Sequence, residues 1–311
     1  MRQTLFTFLL LSVIGLFSCR KDNVQLNIKQ YDQVQIQNYI AANGLTGMIQ
    51  DTTGNDSTGM YYKILSPGTG PAIDYPDKMY FVFTIRTFDG TYVSSDTIAN
   101  HYYDYVGHIY SNKLPLGLQI AVHNILKYPG ASMRLLIPSH LAYGKDGYHT
   151  GSTLVANSNI AGNQCLDYYV HSIYLPNIGA YDDLVIQNYL KANTLTGYTK
   201  TADGLYYKVL TPGTNTTDPI TDNTTITANY TGQLLNATIF DQTYNGTNDL
   251  IAPIATFATP GNIEGLENYA TTGSKISLIM PSTLGYADLA QTSIPPYSCL
   301  RFTWIIISIT P

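Results

Sequence analysis

The chain of 311 residues carries a formal net charge of −5 and only 12% charged side chains, while tyrosine alone occurs 27 times. Such a surface, polar but largely neutral, lacks the clustered Lys and Arg that a phosphate-binding face needs, which excludes nucleic acid as a partner. Beyond the leader described next, about 290 residues exceed the usual size of one domain and indicate two.

The N-terminus opens with a basic residue, Arg2, followed by an apolar run from Leu5 to Phe17 that ends in Leu16-Phe17-Ser18-Cys19. A small residue before a cysteine, at the end of a short apolar segment, is the lipobox pattern. Residues 1–18 therefore read as a lipoprotein signal peptide and Cys19 as the lipid-bearing first residue of the mature chain. The run is too short to cross a bilayer as a helix, so membrane attachment through the lipid is expected instead. Arg20-Lys21-Asp22 beside the anchor points to the cell envelope, on the outer membrane, at its periplasmic or surface face. Residues 19–29 read as a linker.

The next feature is an internal repeat. Tyr31-Asp32, Ile36-Gln37-Asn38-Tyr39-Ile40, Ala42-Asn43 and Leu45-Thr46-Gly47 return as Tyr181-Asp182, Ile186-Gln187-Asn188-Tyr189-Leu190, Ala192-Asn193 and Leu195-Thr196-Gly197. Gly59 to Gly70 returns as Gly204 to Asn215, and Leu135 to Tyr143 as Leu278 to Tyr286. Two domains of one fold follow, 30–176 and 177–311, joined near Pro176 to Ala180. Each copy opens with a helix, because Val34, Ile36, Tyr39 and Ile40 (Leu184, Ile186, Tyr189 and Leu190) recur near a 3.6-residue period after an Asp in capping position. Strands follow, with Thr224 to Tyr230 rich in β-branched residues and Leu300, Phe302, Trp304 and Ile306 alternating with period two. A short helix is expected at 263–270, with Ile263, Leu266 and Ala270 facing a sheet. The fold class is α+β: in each domain an antiparallel sheet wraps around a short helix and is preceded by an N-terminal helix. Cys165 and Cys299 hold equivalent places in the two copies and read as buried thiols rather than as a disulfide.

From Gly204 onward the sequence resembles the FKBP family of peptidyl-prolyl cis/trans isomerases. The resemblance is carried by Gly204-Leu205-Tyr206-Tyr207-Lys208-Val209-Leu210 with Gly213, by Asn229-Tyr230-Thr231-Gly232 with Ile239-Phe240-Asp241, by Gly273-Ser274-Lys275 leading to Ile279-Met280-Pro281-Ser282 and Leu284-Gly285-Tyr286, and by Ile294-Pro295-Pro296 with Leu300-Arg301-Phe302. It implies prolyl isomerisation in an apolar pocket, with proline-containing polypeptides as partners and neither cofactor nor metal. On that template Tyr230, Phe240, Ile294 and Phe302 wall a slot for proline. Tyr286 donates its hydroxyl to a substrate carbonyl, and Asp241 anchors either Tyr230 or the surroundings of the twisting carbonyl by hydrogen bonding. Taken singly, each of these aromatics reads as core packing.

The family's tryptophan at the start of the short helix is absent. Ile263 stands there, or Asn262 under a one-residue shift, and either Ile254 or Phe257 replaces the usual phenylalanine before it. The first copy keeps Tyr143, Ile160 and Tyr168, with Ile120 at the floor, but has Phe83 for Tyr230 and Val93-Ser94 for Phe240-Asp241. It reads as a degenerate domain, a spacer or a binding module. All six histidines, His101, His108, His123, His140, His149 and His171, fall in that copy without the spacing of a zinc site. Asp51, Gly54, Asn55 and Asp56 lack the bidentate Glu of a calcium loop. The function expected is an isomerase that assists folding of exported proteins, with its activity in the second domain. The alternatives are a catalytically silent chaperone and a surface binding lipoprotein.

Overall fold

The computed structural model describes residues 27–310 apart from 54–57, 150–158, 215–218, 244–248 and 290. The leader, Cys19 and most of the acidic loop at 54–56 thus lie outside the described residues.

Helix α1 (Ile28–Ala42) starts at Asn27, whose side chain accepts from the Gln30 backbone while Gln30 accepts from that of Asn27. This reciprocal capping box occupies two backbone donors that the first turn leaves unpaired. The expected capping Asp is corrected by it. Asp32 lies inside the helix, fully buried, and takes hydrogen bonds from Ser139 Oγ at 2.8 Å and from the His140 ring at 2.9 Å. A buried carboxylate must be paired, so Asp32 pins α1 to the loop at 139–141. Ile36 and Tyr39 face inward, whereas Val34, and Leu184 in the second copy, are exposed.

The strands of the first half are β1 (Ile49–Gln50), β2 (Tyr61–Ser66), β3 (Lys78–Thr87), β4 (Val93–Ser94), β5 (His101–Tyr105), β6 (Ser132–Ile137), the separate short pair β7 (Tyr148–His149) and β8 (Asn159–Ile160), and β9 (Leu166–Ser172). They form an antiparallel sheet in the order β1-β2-β6-β9-β3-β4, with β5 also on β3. Helix α2 (Leu116–Ala121) places Leu118 and Ala121 in the core with Phe81, Phe83, Ile85 and Tyr168.

The second half repeats this wiring with α3 (Ile178–Ala192), β10 (Thr199–Lys200), β11 (Tyr206–Thr211), β12 (Thr225–Leu234), β13 (Ile239–Gln242), β14 (Leu250–Pro253), α4 (Pro260–Tyr269), β15 (Lys275–Met280) and β16 (Leu300–Thr310). Its sheet runs β10-β11-β15-β16-β12-β13, with β14 on β12, element for element the order of the first. Along β16 the period-two pattern sorts the side chains: Leu300, Phe302, Trp304 and Ile306 are buried, while Ile305 and Ile307 are exposed. Cys165 and Cys299 are buried free thiols, one beside each sheet.

The halves meet through an aromatic contact. Tyr297 packs 5.0 Å from both Tyr80 and Tyr103, and Tyr80 lies edge-on to Tyr181. Ile98 of the first half packs against core residues of the second, and Asn236 donates to Asp96 at 2.6 Å.

Candidate functional site: an aromatic-walled cleft in the second half

The cleft is built by strand register. Tyr230 and Gly232, two apart on β12, point to one face, and across the ladder they oppose Trp304 and Phe302 of β16. On the other edge β13 sets Asp241 opposite Gly232. Gly232 is required there: a Cβ on it would lie 2.6 Å from a ring carbon of Phe240 and 2.8 Å from one of Phe302. The short turn Ile254–Thr256 then delivers Phe257, the first turn of α4 delivers Asn262, and the loop after Met280 delivers Tyr286. Together with Leu250 and Ala252 these residues line a cavity of about 230 Å³.

The aromatic walls hold one another. Phe240 stands edge-on to Phe302 at 5.6 Å, Tyr230 stacks on Trp304 at 4.7 Å, and Phe257 stacks on Trp304 as well, at 5.4 Å. The Tyr230 hydroxyl donates to Asp241 Oδ2. Burial, then that hydrogen bond and the Asp241 charge, push the Tyr230 hydroxyl well above the usual tyrosine range, so it stays protonated. Burial and the same carboxylate raise Tyr286 as well. Among the described residues the Tyr286 hydroxyl has no hydrogen-bond partner, so it is free to donate to a ligand.

Tyr230, Phe240, Asp241, Tyr286, Phe302 and Phe257 are therefore brought together around one space. Two residues expected beside them are not. Ile294 is 5% exposed within the core cluster, and Ile263 packs against that cluster from outside the cavity lining. The helix presents Asn262 to the cleft and turns its next residue away, since successive helix positions lie about 100° apart. Of the two candidates for the missing phenylalanine, Ile254 is wholly buried and Phe257 lines the cleft.

Trp304 is the lining aromatic that sequence reading missed, and Leu250 and Ala252 also line the cleft without having been singled out. The inward orientation of Trp304 was legible from the alternation of β16. That it meets the cleft rather than the closed core depends on the register between β16 and β12, which no local pattern specifies.

In the first half the position of that glycine carries a side chain. The register that pairs Gly232 with Phe302 pairs Ile85 with Tyr168, so an isoleucine stands where the second half has a glycine. Ile85 and Tyr168 are both buried in the core. The floor assigned to Ile120 is corrected too. A Cβ on Gly117 would meet Ile137 and Leu141, and one on Gly261 would meet their repeat equivalents Met280 and Leu284. Leu118, the residue after Gly117, therefore corresponds to Asn262, and it is wholly buried.

A larger concavity, about 560 Å³, lies on the outer face of the first sheet among Lys63, Arg86, Arg134 and Asp167. There Arg134 and Asp167 form a bidentate pair at 2.9 and 2.6 Å and satisfy each other. It lacks the converging aromatic walls of the smaller cleft. Among the described residues no three His, Cys, Asp or Glu side chains come together to hold a metal.

Residues 217–305 match the family model of FKBP-type peptidyl-prolyl cis-trans isomerases. The second half is an FKBP domain. Among curated proteins the FKBP-type peptidyl-prolyl cis-trans isomerase FkpA of Escherichia coli K12 is 31% identical over 115 residues, 37% of this chain and 41% of that protein. FkpA of Buchnera aphidicola from Schizaphis graminum is 35% identical over 112 residues, 36% of this chain and 43% of that protein. The chain thus spans less than half the length of these relatives. The crystal structure of Escherichia coli FkpA superposes with a TM-score of 0.38 at 28% identity, covering 43% of this chain and 61% of that one. The three FKBP domains of wheat FKBP73 give a TM-score of 0.33 at 16% identity, over 81% and 94% of the two chains.

Proposed function

We propose that the second domain is a peptidyl-prolyl cis/trans isomerase acting on exported polypeptides, and that the first domain is non-catalytic. The observation that carries the reading is the register that opens a cleft at Gly232 between Tyr230, Phe240, Phe302 and Trp304, with Asp241 occupying one tyrosine hydroxyl and Tyr286 offering another.

The chemistry asks for little else. Rotation about an X-Pro bond must break amide resonance, over a barrier of roughly 20 kcal/mol. A twisted amide is less dipolar than a planar one, so an apolar cleft favours the transition state over the ground state. An acceleration of about 10³ to 10⁵ needs only ~4 to 7 kcal/mol of differential stabilisation. Tyr286 contributes by donating to a substrate carbonyl. Asp241 contributes by fixing the Tyr230 ring, and no nucleophile or general base is required.

The test is prolyl exchange of a Leu-Pro peptide by the full chain. The expected result is an acceleration that Phe240→Ala or Asp241→Ala largely removes while the unfolding midpoint changes little. No acceleration by the parent chain would refute the reading and leave a binding protein on an isomerase fold. We place this activity at the cell envelope, with the chain held to the membrane through lipid on Cys19. Cys19→Ala should move the protein out of the membrane fraction, and equal retention of that variant would remove the envelope assignment.

A further inference from the structure

The chain has one tryptophan. It stands in the last strand, at Trp304, and not at the start of the short helix, where the family resemblance calls for one. We infer that Trp304 is the floor on which a prolyl ring rests, and that Asn262 is a positioning residue that holds the indole in place. This inference deepens the isomerase reading and rests on it.

Three observations carry it. Trp304 is only 2% exposed yet lines the cleft, in register with Tyr230 and on the same strand face as Phe302. It lies nearly parallel to Phe257 (5.4 Å, 11°) and Phe302 (6.1 Å, 15°), so the base of the cleft is a layered aromatic surface.

The second observation is how Asn262 is satisfied. Its Oδ1 accepts from Trp304 Nε1 at 2.9 Å and its Nδ2 donates to Thr259 Oγ1 at 2.7 Å. An asparagine at the base of an aromatic-walled cleft would penalise a proline ring if either end of its amide were left unpaired. Here both ends are engaged within the protein, and so is the indole N–H. The polar atoms of Asn262 and the indole are therefore turned on one another rather than on a ligand.

The third is internal. In the first half the residue in register with Phe83 is Val170, and Leu118 corresponds to Asn262, so both members of the pair are aliphatic. Tryptophan and asparagine occur together in the half that carries Gly232 and are replaced together in the half that carries Ile85 in its place. That is the behaviour of one hydrogen-bonded unit, not of two separate core positions.

Because Trp304 is the sole tryptophan, emission excited at the red edge, where the 27 tyrosines do not absorb, reports on this one ring. The probe is the peptide Ala-Leu-Pro-Phe, with Ala-Leu-Ala-Phe as its control. The prolyl peptide should change indole emission saturably and the control should not. Trp304→Leu should lower kcat/KM for prolyl exchange at least tenfold, and Trp304→Phe by less, because an aromatic face remains. Asn262→Leu should raise KM more than it lowers kcat and should shift the emission maximum of the peptide-free protein, which a merely structural loss elsewhere would not do. The double variant Asn262→Trp with Trp304→Val, which returns the ring to the helix, should recover activity over Trp304→Leu.

Isomerase activity with no peptide-dependent change in emission, undiminished in Trp304→Leu and Trp304→Phe, would overturn the floor assignment and leave the isomerase reading standing. A saturable emission change without any exchange activity would support the floor as a prolyl-binding surface and refute catalysis. Neither signal would overturn both.

Discussion

Gly232→Ala is the most incisive perturbation, because one methyl group tests the shape of the cleft without touching any polar atom. The added carbon would sit 2.6 and 2.9 Å from two ring carbons of Phe240 and 2.8 Å from one of Phe302. Carbon atoms pack at about 3.5–4.0 Å, so something must move by about 1 Å. Phe302 is 4% exposed and held in β16, whereas Phe240 is only half-buried on the edge strand β13, so Phe240 yields. Its departure forfeits the edge-to-face contact with Phe302, about 0.5–1.5 kcal/mol, within an overpacking cost of roughly 1–3 kcal/mol. The lost wall should reduce kcat/KM for prolyl exchange by at least tenfold, the equivalent of about 1.4 kcal/mol in the barrier. Exchange kinetics and a denaturant titration on the same preparation measure both quantities. Activity within twofold of the parent, at unchanged stability, would refute the view that Gly232 opens the site.

Three further outcomes are expected. Tyr286→Phe should reduce kcat/KM by about the worth of one hydrogen bond, ~1 kcal/mol or fivefold, with the unfolding midpoint unchanged because the hydroxyl has no partner among the described residues; an unaltered rate would remove Tyr286 from the mechanism. Asp182 is fully buried, its Oδ1 without a partner among the described residues, and burial raises its carboxyl above the usual range. A raised folded-state value costs stability as pH climbs from the unfolded value near 3.9 through the folded one. The advantage of Asp182→Asn in unfolding midpoint should therefore grow between about pH 4 and neutrality, and a gap that narrows as pH rises would contradict the sign. Tyr297→Ala removes two ring contacts between the halves and should weaken their coupling by about 1–3 kcal/mol, seen as a broadening or splitting of one thermal transition; an unchanged single transition would mean the aromatic contact is not what couples them.

Much of this protein is local and so legible in the chain. The repeat made two equivalent domains unavoidable, and the period-two pattern of Leu300, Phe302, Trp304 and Ile306 gave both a strand and its buried face, because side-chain alternation is a property of the strand itself. The helices of both copies are readable for the same reason, although the local sequence does not distinguish Asp32 from a cap. An aspartate followed by apolar residues at helical spacing looks the same whether its partner is the backbone of its own first turn or Ser139, more than a hundred residues away. Tyr230, Phe240, Asp241, Tyr286 and Phe302, singled out by the order of motifs along the chain, line one cleft.

What tertiary structure alone decided is how strands and helices meet. Trp304 reaches the cleft through its register against β12, and Asn262 rather than Ile263 faces it because of the rotation of α4, which a single residue's shift reverses. Ile85 stands in the first half where Gly232 opens the cleft of the second, yet each is one residue within an ordinary strand until the ring carbons across the sheet are in place. The contact of Tyr297 with Tyr80 and Tyr103 joins residues far apart in sequence that share no pattern. Periodicity fixes which way a side chain points from its own element; what it points at is set by long-range packing, and this site is made of such packing.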